Sequence, residues 1–87
     1  MSEFRVTQNQ VIVLLSLHLM HKVSGYNPTI GEVAKVAGVS YGVAYRALEK
    51  LCGFGYIRSH VQSTKKVGYR FSDTWQGEEF LKSKGRV

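Results

Sequence analysis

The chain has 87 residues, with 12 Lys and Arg against 6 Asp and Glu, a net charge of +6 and a single cysteine. A chain this short buries only roughly 60 to 65% of its unfolded surface, so it is expected to form one domain, residues 1–87, whose core gains from a partner subunit. One cysteine excludes an internal disulfide framework and fits a reducing cytoplasm. The apolar run Val11 to Met20 is too short to span a bilayer, and, broken by Ser16 and His18 and without a basic leader, it is not expected to be a signal peptide.

Met1 to Val6 reads as a short arm. Thr7 with Gln10 forms a capping box, and Val6 with Val11 has the spacing of a hydrophobic staple, so a helix is expected from near Gln8 to about Val23, ending at Ser24-Gly25. On a helical wheel, Val11, Ile12, Leu14, Leu15 and Leu19 make one broad face, assigned to the core. Val13, Leu17 and Met20 make a second stripe at i, i+4 and i+7. That stripe is either covered by the C-terminal helix of the same subunit or forms a homodimer interface. The homodimer is the preferred reading, because so small a fold has little else to bury a helix that is apolar all round. His18 and His21 are three apart, a spacing that can ligate zinc, but no Cys, Asp or Glu joins them at a usual distance. A buried, hydrogen-bonded histidine is the expectation for His18.

Tyr26-Asn27-Pro28 is a connector, and Pro28 blocks a helix running into Thr29. Thr29 with Glu32 is a second capping box, so a helix starts at about Ile30, with Val33, Ala34 and Ala37 at helical spacing. Gly38 ends it, Val39 plugs the corner, and Ser40 is a good N-cap for the next helix. That helix keeps its apolar stripe at Ala44, Ala47, Leu48 and Leu51. Two short helices joined by a tight turn make a helix-turn-helix. The outward face of the second helix carries Gly42, Arg46 and Glu49, flanked by Tyr45 and Lys50, with Ser40 and Tyr41 at the leading tip. An ordinary solvent face would hold Glu, Lys and Gln. A glycine there costs about 1 kcal/mol and suggests close approach by something else, and Arg46 could fork onto a guanine edge or a phosphate.

Cys52-Gly53-Phe54-Gly55 is expected to break the chain after that helix. Two strands follow, Tyr56 to Val61 and Val67 to Phe71. With Gln62 to Lys66 as a five-residue hairpin loop, Ile57 pairs with Phe71, Ser59 with Tyr69, Val61 with Val67 and His60 with Gly68. This register sets Arg58 opposite Arg70, a like-charge pair that favours an anion between them, while Lys65 and Lys66 sit at the tip of a wing. Asp73 with Gln76 caps a short last helix whose apolar residues are Trp75, Phe80 and Leu81, followed by a basic run, Lys82 to Arg86, that either frays or touches DNA.

Positive charge is concentrated. Between Ser40 and Ser72, six cations (Arg46, Lys50, Arg58, Lys65, Lys66 and Arg70) face Glu49 alone, so this stretch holds +5 of the net +6. Such a stripe attracts a polyanion, usually nucleic acid. Catalysis is not expected: there is no Gly-rich phosphate loop and no carboxylate pair, and Cys52 reads more simply as a half-buried helix-end thiol than as a nucleophile, redox sensor or intersubunit disulfide.

The run VAKVAGVSYGVAYRAL resembles the helix-turn-helix of lac-repressor-type regulators, in which the residues matching Tyr41, Gly42 and Arg46 face bases. This chain has Gly42 where that family usually carries a longer polar side chain. Across nearly its whole length, through Gly55-Tyr56-Ile57-Arg58, Tyr69-Arg70-Phe71-Ser72 and Gly77-Glu78-Glu79-Phe80-Leu81, the layout is similar to small winged helix-turn-helix regulators of the MarR and PadR type. The resemblance implies a mainly α fold with a small β-hairpin, a three-helix core, a wing and a short C-terminal helix. It also implies that this last helix joins the first in a dimer interface, which would comprise Val13, Leu17, Met20, Trp75 and Phe80.

The reading is therefore a homodimeric, cytoplasmic and nucleoid-associated regulator of double-stranded DNA. Tyr41, Tyr45 and Arg46 would read bases from the tip set by Ser40 and past the bare site at Gly42. Lys50, Arg58 and Arg70 would hold phosphates, with His60 on the same wing, and the Lys65-Lys66 tip would reach the backbone or a minor groove. Two half-sites about 34 Å apart would be bound. No cofactor, metal or small-molecule effector is expected. A replication or partition module, and a winged helix used for protein contacts, are the other readings.

Overall fold

Each of the first three helices begins on a side-chain oxygen and ends on a glycine, and this punctuation lays out the computed structural model, which describes residues 6–60 and 70–87. Helix α1 spans Gln8–Ser24. Its capping box has both bonds: Thr7 Oγ1 accepts from the Gln10 N–H (3.2 Å), and Gln10 Oε1 accepts from the Thr7 N–H (3.0 Å). Helix α2, Ile30–Ala37, repeats the device with Thr29 and Glu32. Gly38 then adopts φ 74°, a left-handed turn that a Cβ would oppose, and Ser40 caps α3, Tyr41–Phe54, by accepting from the Val43 N–H. The helix continues beyond its expected end at Leu51, through Gly53, and stops only where Gly55 turns left-handed at φ 83°. Strands β1, Ile57–His60, and β2, Arg70–Asp73, pair antiparallel, and helix α4 spans Trp75–Ser83.

The fold is the expected winged helix-turn-helix: α1, α2 and α3 pack around one core, and the hairpin and α4 close it. Leu14 and Leu17 of α1, Val33 of α2, Leu48 and Leu51 of α3 and Leu81 of α4 meet in the centre, fully buried. At about 1.5 to 3 kcal/mol per side chain of this size, these few residues carry a large part of the fold's cohesion.

The face α1 turns inward keeps Val11 and Leu14 of the expected one but adds Val13 and Leu17 and leaves out Leu19. Val13 and Leu17, assigned above to an exposed dimer stripe, are each 0% exposed within this single chain, and Met20 is half-buried against the core. Phe80, the other half-buried member of that set, stacks on Tyr56 at 4.8 Å between ring centroids. The stripe left open runs along the other side, through half-buried Ile12 and Leu15 to Leu19, 46% exposed, and Val23, 86% exposed. The reason is the composition of α1 itself. With apolar residues all round, periodicity names two candidate stripes but does not choose between them, and packing against three other helices does.

One polar contact crosses this core. His18 Nδ1 lies 2.7 Å from Asp73 Oδ2, both side chains nearly buried, so α1 is tied to the end of β2. Asp73 therefore does not cap α4 as expected. Thr74 does so instead, its hydroxyl accepting from the Gly77 N–H at 3.2 Å.

The hairpin register is also corrected. Ile57 pairs with Asp73, Arg58 with Ser72, Ser59 with Phe71 and His60 with Arg70. A shift of two residues leaves every side chain on its expected face, so Ile57 and Phe71 still point into the core, but Arg58 and Arg70 no longer oppose each other. The expected register rested on a five-residue loop, and the strands instead pair as far as Asp73, with 61–69 between them; the expected pairings of Val61, Val67, Gly68 and Tyr69 fall outside the described residues. A one-residue third strand supports this alignment: Thr29 bridges Arg70, and the Phe71 N–H donates to the Pro28 carbonyl at 3.0 Å.

Helix α4 sits directly on the exit from α3. The Thr74 N–H donates to the Tyr56 carbonyl (3.0 Å) and the Thr74 hydroxyl to the Gly55 carbonyl (2.7 Å). Gly77 lies so close above that a Cβ there would fall onto the Tyr56 carbonyl oxygen.

Two predictions follow from this packing. Gly77→Ala should destabilise the protein by about 1 to 3 kcal/mol, because backbone cannot yield cheaply, whereas Gly53→Ala, whose Cβ meets nothing within 4 Å, should stabilise it by up to about 1 kcal/mol. Urea denaturation of the two variants checks the contrast. Asp73→Ala should cost about 1 to 3 kcal/mol by leaving His18 buried without its partner. Asp73→Asn, which keeps an acceptor oxygen, should lose clearly less, and thermal melts distinguish the two.

Candidate nucleic-acid interface

The site is built on α3. Ala44, Ala47, Leu48 and Leu51 fix one side of the helix in the core, and the opposite side is left to solvent. Tyr41 (61%) and Tyr45 (45%) are exposed, as are Ser40, Gly42, Arg46, Glu49 and Lys50. A Cβ on Gly42 would meet nothing within 4 Å, so nothing inside the chain requires glycine there.

Two shallow grooves flank this ridge. On one side Arg46 and Lys50 look across a groove of about 280 Å³ at Thr7, Asn9 and Gln10 in the first turn of α1. On the other, Tyr45 and Glu49 border a groove of about 250 Å³ floored by Leu48 and Phe71 and reaching Ser59 and Cys52. Burial and then the Glu49 carboxylate push the Cys52 thiol up from its ordinary range, so it stays protonated at neutral pH and is a poor nucleophile.

On the hairpin, Arg58 is exposed and opposite Ser72, in a polar recess with His60, Thr74, Trp75 and Gln76. His60 Nε2 lies 2.8 Å from Ser72 Oγ. The Arg70 guanidinium is turned back into the structure, where it donates to the Asn27 carbonyl at 2.9 Å. Arg58 and Arg70 therefore do not face each other across the hairpin as the expected register would have had it. Arg70 instead anchors the connector before α2. Lys65 and Lys66 lie outside the described residues.

The structure thus brings Ser40, Tyr41, Gly42, Tyr45, Arg46 and Lys50 to one exposed face and Arg58 and His60 to the neighbouring hairpin. It withdraws Arg70 into a structural role. The first turn of α1 was missed as a neighbour of this face, because its capping box reads in sequence only as a helix start. Trp75, 71% exposed, stands beside Arg58. Among the described residues no group of three His, Cys, Asp or Glu side chains could hold a metal ion, and no helix is long and apolar enough to cross a membrane.

No protein-family profile matches the sequence, and no curated protein matches it significantly. Solved structures do. The zinc-responsive MarR family member ZitR of Lactococcus lactis is similar with a TM-score of 0.72 at 20% identity, over 97% of this chain and 54% of that one. The transcriptional regulator SlyA aligns with a TM-score of 0.75 at 20% identity, over 93% and 54%. Wild-type ZitR in complex with DNA aligns with a TM-score of 0.68 at 21% identity, over 93% and 51%. The chain spans about half the length of these structures. Its fold, four helices and a two-stranded hairpin in the same arrangement, is the winged helix-turn-helix of MarR-family regulators.

Proposed function

We propose that the chain is a sequence-specific, duplex-DNA-binding transcriptional regulator that acts by binding and not by catalysis. The observation that carries this reading is the outer face of α3. A helix anchored by an Ala and Leu stripe presents two tyrosines, a bare glycine and an arginine where packing asks for none of them. In this reading α3 enters the major groove, and the absent side chain at Gly42 lets the helix approach closely. Tyr41, Tyr45 and Arg46 then read base edges, and Ser40 holds the leading turn in place. Lys50 and Arg58 contact phosphates on either side, with Lys65 and Lys66 of the 61–69 connection as further contacts. The similarity to a regulator solved with DNA supports the same reading. The site of action is then the nucleoid in the cytoplasm, no small-molecule effector is required, and residues 1–87 act as one domain.

The regulator is further proposed to act as a homodimer. The support is the uncovered apolar stripe of α1, Leu19 and Val23 with Ile12 and Leu15 beside it, together with exposed Trp75. This stripe takes the place of Val13 and Leu17, which are committed to the chain's own core.

Binding to a mixed pool of duplexes should lose 10³-fold or more in affinity between 50 and 200 mM salt for a footprint of about 6 to 10 phosphates. Arg46→Ala should relax sequence preference by about 1 to 3 kcal/mol at one base position. Negligible duplex binding at low salt, or an unchanged preference in the variant, would reject the corresponding assignment. For the assembly, sedimentation should give twice the chain mass, and Leu19→Glu with Val23→Glu should give a folded monomer. A wild-type monomer at micromolar concentration would rule the dimer out.

A further inference from the structure

Two pairs of cations converge on the first turn of α1 from opposite sides. Arg46 and Lys50 border it from α3, and Lys84 and Arg86, from the segment after α4, border it across a second recess of about 210 Å³ that includes Gln8. The first turn of α1 itself contains no acid. Among the described residues none of these four cations is within ion-pair distance of a carboxylate, whereas Lys82, in the same basic run, is 3.6 Å from Glu79. Lys84 carries its ammonium 5.5 Å from the centre of the Phe80 ring. The basic run is thereby divided: Lys82 has an acidic neighbour on its own helix, while Lys84 and Arg86 lie beside the tip of α1, across from Arg46 and Lys50.

We propose that Lys84 and Arg86, with Lys50, form a second backbone grip for duplex DNA, on the side of α3 away from the hairpin. This rests on the DNA-binding reading and deepens it. Among the described residues these four cations have no carboxylate partner, and a polyanion running past both pairs offsets their mutual repulsion. The ligand must be extended, because the two pairs are separated by the width of a helix, about 10 Å. At 3.4 Å of axial rise per phosphate on one strand, that distance corresponds to on the order of three phosphates. Duplex DNA is the occupant favoured, because the patch is continuous with the exposed face of α3 through Arg46 and Lys50. The hairpin and this edge would then hold the backbone on either side of the groove that α3 enters.

The test compares two double variants that lose the same charge. In Lys84→Gln with Arg86→Gln, the slope of log affinity against log salt should become shallower by about 2, equally for all sequences, since each phosphate contact contributes about 0.9. Lys22→Gln with Lys82→Gln removes one cation at the far end of α1 and one paired with Glu79, and should change the slope by less than about 0.5. Circular dichroism checks that both variants are folded. An unchanged slope in the first variant, or equal changes in both, overturns the proposal while leaving DNA binding intact. Absence of duplex binding by the unmodified chain would instead overturn the reading on which it rests.

Discussion

The backbone of Tyr56 is the point on which the arrangement depends. It leaves α3 through a left-handed Gly55 and passes beneath the first turn of α4, where Thr74 bonds to two successive carbonyls and Gly77 leaves no space for a side chain. Around the same place Phe54 meets Tyr56 edge to face, with centroids 5.9 Å apart, and Phe80 stacks on Tyr56 at 4.8 Å. The direction in which the hairpin departs from α3 is therefore fixed by close backbone contact, which tolerates far less variation than side-chain packing does. The angle between the outer face of α3 and Arg58 on β1 follows from that contact.

A second tie sets the position of α1. The His18 to Asp73 contact joins the middle of α1 to the end of β2, one residue before the cap of α4. Thr29 and the Arg70 guanidinium join the connector before α2 to the start of β2. Strand β2, only four residues long, is thus held by α1, by the 27–29 connector and by β1 together. A short hairpin is marginal alone, and here its polar groups are used to attach it to the helical core. Arg70 illustrates the consequence for function: in sequence it is one more cation in a basic stretch, and in the fold it is half-buried with its Nη1 donating to the backbone of Asn27.

The surface that results is a ridge, α3, between two grooves of different chemistry. The groove toward α1 is polar and positively charged; the one toward the hairpin has an apolar floor, a carboxylate at its rim and a thiol kept protonated. Tyr45 and Arg46, adjacent in sequence, are separated by about 100° around the helix and so belong to different sides of the ridge. This division gives α3 distinct neighbours on its two flanks, and positive charge is continued on only one of them by the segment after α4.

The N-caps of the first three helices, the turn at Gly38 and the period of α3 were settled by the sequence, because each depends on residues within four positions of one another. Thr7 with Gln10, Thr29 with Glu32, the stop at Gly38, Ser40 as a cap and the buried stripe of α3 all appear where local chemistry places them. What failed locally was also local in cause: α3 ran on to Phe54 because a glycine inside a helix costs only about 1 kcal/mol, and burial of Leu51 and its neighbours outweighs that. Tertiary structure alone decided the rest. Which face of an all-apolar α1 turns inward, whether Asp73 caps a helix or meets His18, and which of Arg58 and Arg70 stays free depend on partners far away in sequence. Register was undecided for the same reason: a shift of two residues keeps every face unchanged, so the hydrophobic pattern is indifferent to it and only contacts from Pro28 and Thr29 select one pairing.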